Sequence, residues 1–342
     1  MTTHERELIE PVDLCVADGS SLNPAARGWS RRTLHRANLD GSFGENKRWD
    51  YWAVLADDLV VSMVYSNVDH FGLADVYWVD MATGESGGTS IVTPAEAIEL
   101  PERPGSAPLL VNRDGLDLRM VDNASGTRLS ATWTQADGRR GDLDVFVELP
   151  AGHETLNVVI TWSDTVFNFT AKHQARPAVG RLSVGDRVWS IGAPDGPESW
   201  GVLDVGRGRW PHEITWNWGS GAGRAGDHVV GLQIGAKWTQ GSGFTENALI
   251  VDGRLSKLGS ELRWDYSWDY PMQPWRVVDP GGQLDMVLTP RFDKHSHTDA
   301  GQFGSETHQV FGTWCGHLRT DDDLELEFNG LQGFAEEARQ RW

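Results

Sequence analysis

Short segments in which apolar and polar residues alternate recur along most of the chain, and they constrain the fold more than any other feature. Residues 49–56, 59–67, 143–149 and 155–162 are examples. Most of these segments are bounded by Gly, Asp, Asn or Pro, which form tight turns, so the pattern predicts antiparallel strands. Residues 1–45 lack this periodicity and are interpreted as an irregular lead-in.

The number of predicted strands indicates an all-β protein with two packed barrels or sandwiches. So many strands exceed what one open sheet accommodates without closing or splitting. The chain of 342 residues also exceeds the size at which one hydrophobic core usually stops growing. We expect an N-terminal domain over residues 1–207 and a C-terminal domain over residues 208–342. The tail of residues 333–342 (GFAEEARQRW) contains consecutive good helix formers and predicts a short C-terminal helix.

Charge and composition exclude several classes of protein. The net charge of -19 would repel nucleic-acid phosphates. The two cysteines, Cys15 and Cys315, cannot by themselves build a zinc site or a disulfide framework. The N-terminal sequence lacks the pattern of a secretory signal, and no apolar run is long enough to span a membrane. We therefore expect a cytoplasmic protein without a membrane span, and the oligomeric state stays open.

Tryptophan is abundant, with 17 residues, and indoles readily line binding clefts. In the segment 215–218, alternation places Trp216 and Trp218 on one side of a strand, with Thr215 and Asn217 on the other. We predict that Trp216, Asn217 and Trp218 bind a substrate in an interior pocket, together with Trp49 and Trp52. The alternative for any one of these indoles is an ordinary place in the core.

Several motifs in order resemble the DUF2804 family of uncharacterised bacterial proteins. The motifs are residues 22–24 (LNP), 28–32 (GWSRR), 34–35 (LH), 46–52 (NKRWDYW), 169–177 (FTAKHQARP), 216–219 (WNWG), 245–249 (TENAL) and 308–312 (HQVFG). More distantly, the order Gly180, Asp204, Trp216 and Trp218 is similar to that in the AttH and carotenoid 1,2-hydratase group.

The resemblance implies two lipocalin-like, calycin-type β-barrels in tandem. Relatives in that distant group include hydratases and pericyclase-type cyclases that act on isoprenoid or polyketide substrates. The hydratase-like pattern has Asp-His-x-Trp before its Trp-x-Trp strand, whereas this chain has no histidine between Asp204 and Trp210. Carotenoid hydration therefore cannot be transferred to this chain.

Two carboxylates have the most apolar or aromatic neighbours and are candidate catalytic acids. A carboxylic acid that protonates an alkene must stay neutral near pH 7, and an aromatic pocket achieves this by penalising the carboxylate. Glu246 and Asp204 fit this role, and Asn247 could orient either one. The alternative is that Glu246 forms a buried ion pair with a basic residue of the segment 170–177 and joins the barrels without catalysing anything.

Other polar residues have weaker functional interpretations. Lys172 and Arg176 could bind an anionic group of a ligand, or could only bridge loops. His308 could be a catalytic base or hydrogen-bond donor, or a satisfied interior histidine. His295 and His297 lie beside Asp293, but no third spaced histidine or cysteine accompanies them, so we expect no metal site and no cofactor.

The sequence therefore supports two functions. One is a cofactor-independent hydratase, isomerase or cyclase that uses acid-base chemistry on a hydrophobic small molecule, isoprenoid-like or polyketide-like. The other is a lipocalin-like carrier of an apolar ligand without catalysis. A buried carboxylate facing a second polar group in the cavity would favour the enzyme, and a purely apolar lining would favour the carrier.

Overall fold

The computed structural model describes residues 3–342, and these consist almost entirely of β-strands. The strands of the N-terminal part are β1 (Val12–Asp13), β2 (Trp29–Ser30), β3 (His35–Arg36), β4 (Asn46–Ala56), β5 (Leu59–Asn67), β6 (Gly72–Asp80), β7 (Glu85–Thr93), β8 (Leu109–Arg113), β9 (Leu116–Asn123), β10 (Gly126–Thr134), β11 (Arg140–Glu148), β12 (Leu156–Thr161), β13 (Phe167–Val184), β14 (Arg187–Ile191) and β15 (Trp200–Arg209). Short 3-10 helices lie at Pro24–Ala26 and Ala95–Ala97.

The strands of the C-terminal part follow after a short connection. They are β16 (Glu213–Ala225), β17 (His228–Ala236), β18 (Asn247–Val251), β19 (Arg254–Leu258), β20 (Arg263–Asp265), β21 (Trp275–Val278), β22 (Leu284–Ala300), β23 (Phe303–Arg319) and β24 (Glu325–Arg341). No helix in the described residues is long and apolar enough to cross a membrane.

The strands form two large sheets and one small pair. The first sheet has 13 strands, with the main order β7-β6-β5-β4-β15-β13-β11-β10-β9-β8, and the second has nine, with the order β19-β18-β17-β16-β24-β23-β22-β21-β20. Both curl into barrel-like forms, one nearly closed and the other a half-barrel. The predicted all-β architecture with two lipocalin-like barrels is confirmed. The chain passes from the first sheet to the second between Arg209 and Glu213.

Each sheet has an inner face, which packs into its own hydrophobic core, and an outer face. In β13, Phe167, Phe169 and Ala171 belong to the core of the first sheet. The alternate residues Asn168 and Thr170 point the other way, because successive side chains of a strand face opposite sides. In β24, Ala335 likewise belongs to the core of the second sheet. The pocket described below lies between the two outer faces.

The predicted C-terminal helix is wrong, because the tail forms the last part of β24. This strand lies between β16 and β23, with Trp218 and Gln309 as the neighbours of Glu336 on its two sides. Helix propensity is a weak preference of less than about 1 kcal/mol per ordinary residue, and pairing on both edges within a sheet overrides it. The tail is thus a central strand of the second sheet.

Candidate active site

A pocket of about 590 Å³ lies between the outer faces of the two sheets. The first sheet contributes polar side chains of β13 and β15, and aromatic side chains of β4. The second sheet contributes Trp216, Trp218 and Glu336, and the loop residue Trp238 closes one side. The sequence led us to expect a site inside a barrel, but the interior of each sheet is filled by its own core. The pocket instead uses the faces that the two sheets turn toward each other.

A buried lysine lies between two carboxylates at the base of this pocket. The Lys172 Nζ atom is 2.7 Å from Asp204 Oδ1 and 3.1 Å from Glu246 Oε2. The Lys172 ammonium also lies 4.6 Å from the centre of the Trp218 ring. Lys172 and Asp204 are paired residues on the adjacent strands β13 and β15, whereas Glu246 precedes β18 of the second sheet. The cluster of Lys172, Asp204 and Glu246 therefore joins the two sheets.

The two carboxylates are held by aromatic and polar donors. Asp204 accepts hydrogen bonds from Trp49 Nε1 at 3.0 Å and from Thr170 Oγ1 at 3.1 Å. Glu246 accepts a hydrogen bond from Trp238 Nε1 and one of 3.4 Å from Gln233 Nε2. These donors orient both carboxylates toward Lys172.

A glycine on the neighbouring strand makes room for Glu246. A Cβ atom at Gly235 would lie 2.0 Å from Glu246 Oε1, so any side chain there would displace the carboxylate. The close approach of the β17 backbone thus depends on this glycine.

Burial and charge act in opposite directions on this group. Burial disfavours the Lys172 ammonium, but the Asp204 and Glu246 carboxylates stabilise it and raise the pKa of Lys172. Burial raises the pKa of Glu246, and the Lys172 charge counteracts only part of this effect. Because one ammonium faces two carboxyl groups, the electrostatic potential in this part of the pocket is negative.

A third carboxyl group, Glu336, faces the same pocket from β24. Trp216 Nε1 donates to Glu336 Oε1 at 2.8 Å, and Gln309 Nε2 donates to Glu336 Oε2 at 2.9 Å. Burial, which is the largest cause, raises the pKa of Glu336 to about 7. A substantial fraction of Glu336 is therefore protonated near neutral pH, which is the state required of a proton donor.

Tryptophan rings form one wall of the pocket. Trp210 stacks on Trp238 with ring centres 5.1 Å apart, and Trp216 and Trp49 lie 5.8 Å and 5.5 Å from Trp210. Such a wall presents several aromatic faces to a ligand. Aromatic faces bind apolar groups and attract positive charge.

The structure brings together the predicted residues Glu246, Asp204, Lys172, Trp49, Trp216 and Trp218 at this pocket. The predicted orientation of the Trp-x-Trp segment is confirmed, since Trp216 and Trp218 share the pocket side. Asn217 points to the opposite side, where Asn217 Nδ2 donates to Tyr266 OH at 2.9 Å. Asn217 therefore does not reach the pocket.

Four other predicted site residues lie outside the pocket. Trp52 belongs to the core of the first sheet. A β-bulge between His173 and Arg176 interrupts the alternation of β13, so that Arg176 lies 5.1 Å from the centre of the Trp52 ring. Asn247 accepts a hydrogen bond of 2.6 Å from Gly235 N. His308 lies on the inner face of the second sheet, where His308 Nδ1 is 2.7 Å from Asp293 Oδ2.

The sequence analysis missed the part of the pocket that comes from the tail and from the connection between the sheets. Glu336 was assigned to a helix, and Trp210, Trp238 and Trp342 were not singled out for a role. These residues line the pocket together with Tyr51. The available signal was the high frequency of tryptophan after residue 209. Which of these indoles lie beside β4 and β24 depends on the tertiary structure.

The fold and the pocket together define a tandem lipocalin-like β-protein with a cavity between its two sheets. The chain belongs to the DUF2804 family, described as a domain of unknown function, whose model matches residues 5–342. The resemblance found in the sequence is thereby confirmed. No curated protein sequence matches the chain.

Solved structures that match most of this chain share little sequence with it. Kievitone hydratase from Nectria haematococca is 12% identical, with a TM-score of 0.50, over 87% of this chain and 89% of that one. CghA with Sch210972 is 12% identical, with a TM-score of 0.45, over 87% and 89%. An AttH-type protein from Nitrosomonas europaea is 12% identical, with a TM-score of 0.45, over 86% and 92%. At this identity, the similarity to kievitone hydratase concerns the fold alone.

Proposed function

We propose that the protein is a cofactor-independent enzyme that protonates a carbon–carbon double bond of a hydrophobic small molecule. The reaction class is hydration, isomerisation or cyclisation, and the substrate is isoprenoid-like or polyketide-like. The observation that carries the proposal is Glu336, a buried carboxyl group with a pKa raised to about 7 in a pocket lined by tryptophans. The fold shared with kievitone hydratase is compatible with this proposal.

The first step is transfer of the Glu336 proton to one carbon of the double bond. The π electrons form the new carbon–hydrogen bond, and the other carbon becomes cationic while Glu336 becomes a carboxylate. Trp216 lines the pocket with an indole that can stabilise such a cation, and the carboxylates beside Lys172 add negative potential.

The second step decides the product and restores the proton to Glu336. In hydration, a water oxygen attacks the cationic carbon and Glu336 accepts a water proton. In isomerisation, Glu336 accepts a proton from a neighbouring carbon and a shifted double bond forms. In cyclisation, a second double bond of the substrate attacks the cation, and Glu336 then accepts a proton from a carbon beside the new cationic centre as a double bond forms there. Each route ends with a neutral product and a protonated Glu336.

The charged residues at the bottom of the pocket favour this enzyme over a carrier. A carrier of apolar ligands requires only apolar walls, whereas Lys172, Asp204 and Glu246 bring three charged groups into a buried place. Burying charged groups is costly unless they are paired, and their arrangement around one lysine partly offsets that cost. The desolvated carboxylates and the lysine opposite them support the enzyme over the carrier.

Deuterium incorporation tests the proposal directly. Small molecules that copurify with the protein would first be identified by mass spectrometry and supplemented with a panel of apolar alkenes. Each compound is then incubated with the protein in deuterium oxide. We expect product or recovered substrate to carry deuterium on carbon, because Glu336 exchanges its proton with solvent.

Glu336→Gln is the decisive variant, and Glu198→Gln is the matched control at an exposed carboxylate. Loss of a general acid lowers rates by about 10²–10⁴-fold, and we expect this loss only for Glu336→Gln. If the wild-type protein binds a ligand tightly but gives neither product nor deuterated carbon, the protein is a carrier. Equal rates in the wild type and Glu336→Gln would remove Glu336 from the mechanism.

A further inference from the structure

Two histidines and a glutamate lie close together on the hairpin of β22 and β23, on the side away from the pocket. His295, Glu306 and His308 each offer one ligand atom, and these atoms lie within 4.8 Å of one another. We propose that they form a binding site for one Zn²⁺ ion, with water completing the coordination. Two imidazoles and one carboxylate form a three-ligand set that zinc accepts, with an open fourth position.

The antiparallel register explains the convergence of residues that are separated along the chain. His295 is the cross-strand partner of His308, and His297 is the partner of Glu306. Residues of one parity on β23 face inward, since Val310 belongs to the core of the second sheet while Gln309 contacts Glu336 on the outer side. The two ligands that the sequence lacked near His295 are therefore supplied by the adjacent strand, as Glu306 and His308.

Asp293 orients one of the ligands. The His308 Nδ1 atom is 2.7 Å from Asp293 Oδ2, and the side chains of His308 and Asp293 are only 12% and 16% exposed. A carboxylate at Nδ1 holds the imidazole in the tautomer whose Nε2 lone pair is free, an arrangement found around protein metal sites. In the described residues, Asp293 Oδ1 has no hydrogen-bond partner. Asp293 is thus a positioning residue for the ion.

His295 must move to complete the site. Its ring is stacked on His308 with centres 4.2 Å apart, so the two lone pairs do not yet converge. The His295 side chain is 45% exposed, and its Nε2 atom is already 3.2 Å from Glu306 Oε1. In the proposed site, rotation of this exposed side chain turns a ring nitrogen toward His308 and Glu306.

The cationic side chain on the neighbouring strand is paired elsewhere and not with Glu306. Arg339 is the cross-strand neighbour of Glu306, but its Nε atom is 2.7 Å from Glu337 Oε1 and its guanidinium carbon lies 3.6 Å from the centre of the Trp268 ring. The Glu306 carboxylate contacts only histidines among the ion pairs of the described residues. It is therefore free to coordinate a cation.

Calorimetric titration of metal-free protein with Zn²⁺ tests the proposal. We expect one ion per chain, with binding at least tenfold weaker in His295→Ala and in Glu306→Gln, since each removes one ligand. Both positions are partly exposed, so the variants should fold. His317→Ala, an exposed histidine on the same strand, is the matched control and should bind as the wild type does.

Two further measurements separate this site from unspecific binding. Asp293→Asn should weaken Zn²⁺ binding by about 10–100-fold, the usual effect of removing a carboxylate that orients a ligand histidine. Substitution with Co²⁺ should give visible absorption bands of a four-coordinate ion, and these should be lost in His308→Ala. Binding that is absent, or equal in the wild type, His295→Ala and Glu306→Gln, would overturn the proposal.

Discussion

Lys172 of the first sheet and Glu246 of the second form an ion pair of 3.1 Å at the base of the pocket. The same ammonium lies 2.7 Å from Asp204, so that one buried cation serves carboxylates from both sheets. This arrangement matches the buried pair between barrels that the sequence left open as an alternative for Glu246. It also places the pair within the proposed active site, so its structural and catalytic contributions have to be measured separately.

Lys172→Met should lower the free energy of unfolding by about 3–5 kcal/mol, because it leaves two buried carboxylates without their cation. Arg224→Met removes an exposed pair with Glu198 and should cost less than about 1 kcal/mol. Denaturant unfolding of both variants measures the difference. Similar losses in the two would show that the Lys172 group does not hold the sheets together.

Glu246→Gln should destabilise the protein less than Lys172→Met does, because Lys172 keeps its pair with Asp204. We also expect turnover to fall by less than about tenfold, since a proton donor at Glu336 remains. Melting temperature and rate on the same preparation check both expectations. A hundredfold loss of rate with an intact fold would instead make Glu246 the catalytic acid.

The free energy of unfolding should decrease as pH rises from about 4.5 to about 7. In the unfolded chain Glu336 loses its proton near the ordinary pKa of 4.5, whereas the folded protein retains it until about pH 7. The folded state therefore binds more protons in this window, and its advantage of about 3 kcal/mol is lost as the pH rises through it.

Urea unfolding of the wild type and Glu336→Gln across this range isolates the effect. Glutamine does not titrate, so the stability difference between the two proteins should change with pH and level off above about pH 7. A constant difference would mean that the pKa of Glu336 is not raised.

Binding of an apolar ligand should quench tryptophan fluorescence, because several indoles border the pocket. Trp216→Phe should reduce this quenching, whereas Trp133→Phe should leave it unchanged, since Trp133 lies in the core of the first sheet. Titrations with one ligand at equal protein concentration give the comparison. An equal reduction in both variants would argue against binding at this pocket.

Removal of residues 333–342 should prevent the second sheet from folding. These residues pair with β16 on one side and with β23 on the other, so their loss exposes two rows of backbone groups. Deletion of Trp342 alone leaves these strands intact and serves as the control. A truncated protein with the circular dichroism and cooperative unfolding of the full chain would contradict the central position of β24.

The sequence by itself determined the all-β class and several residues of the pocket. Alternation along a strand is a local property, so it correctly separated Trp216 and Trp218 from Asn217. The sequence also drew attention to Asp204 and Glu246, which are carboxylates with apolar or aromatic neighbours, and to the basic residue Lys172. These conclusions required only the two-residue period of a strand and the cost of burying charge.

Only the tertiary structure decided which faces meet and which distant residues share a site. The bulge after His173 turned Arg176 into the core, and pairing on both edges made the tail a strand that carries Glu336 into the pocket. Likewise, the register of β22 with β23 brought His295 beside His308. Register, bulges and sheet packing arise from contacts between residues far apart in the chain, and local propensity does not encode them.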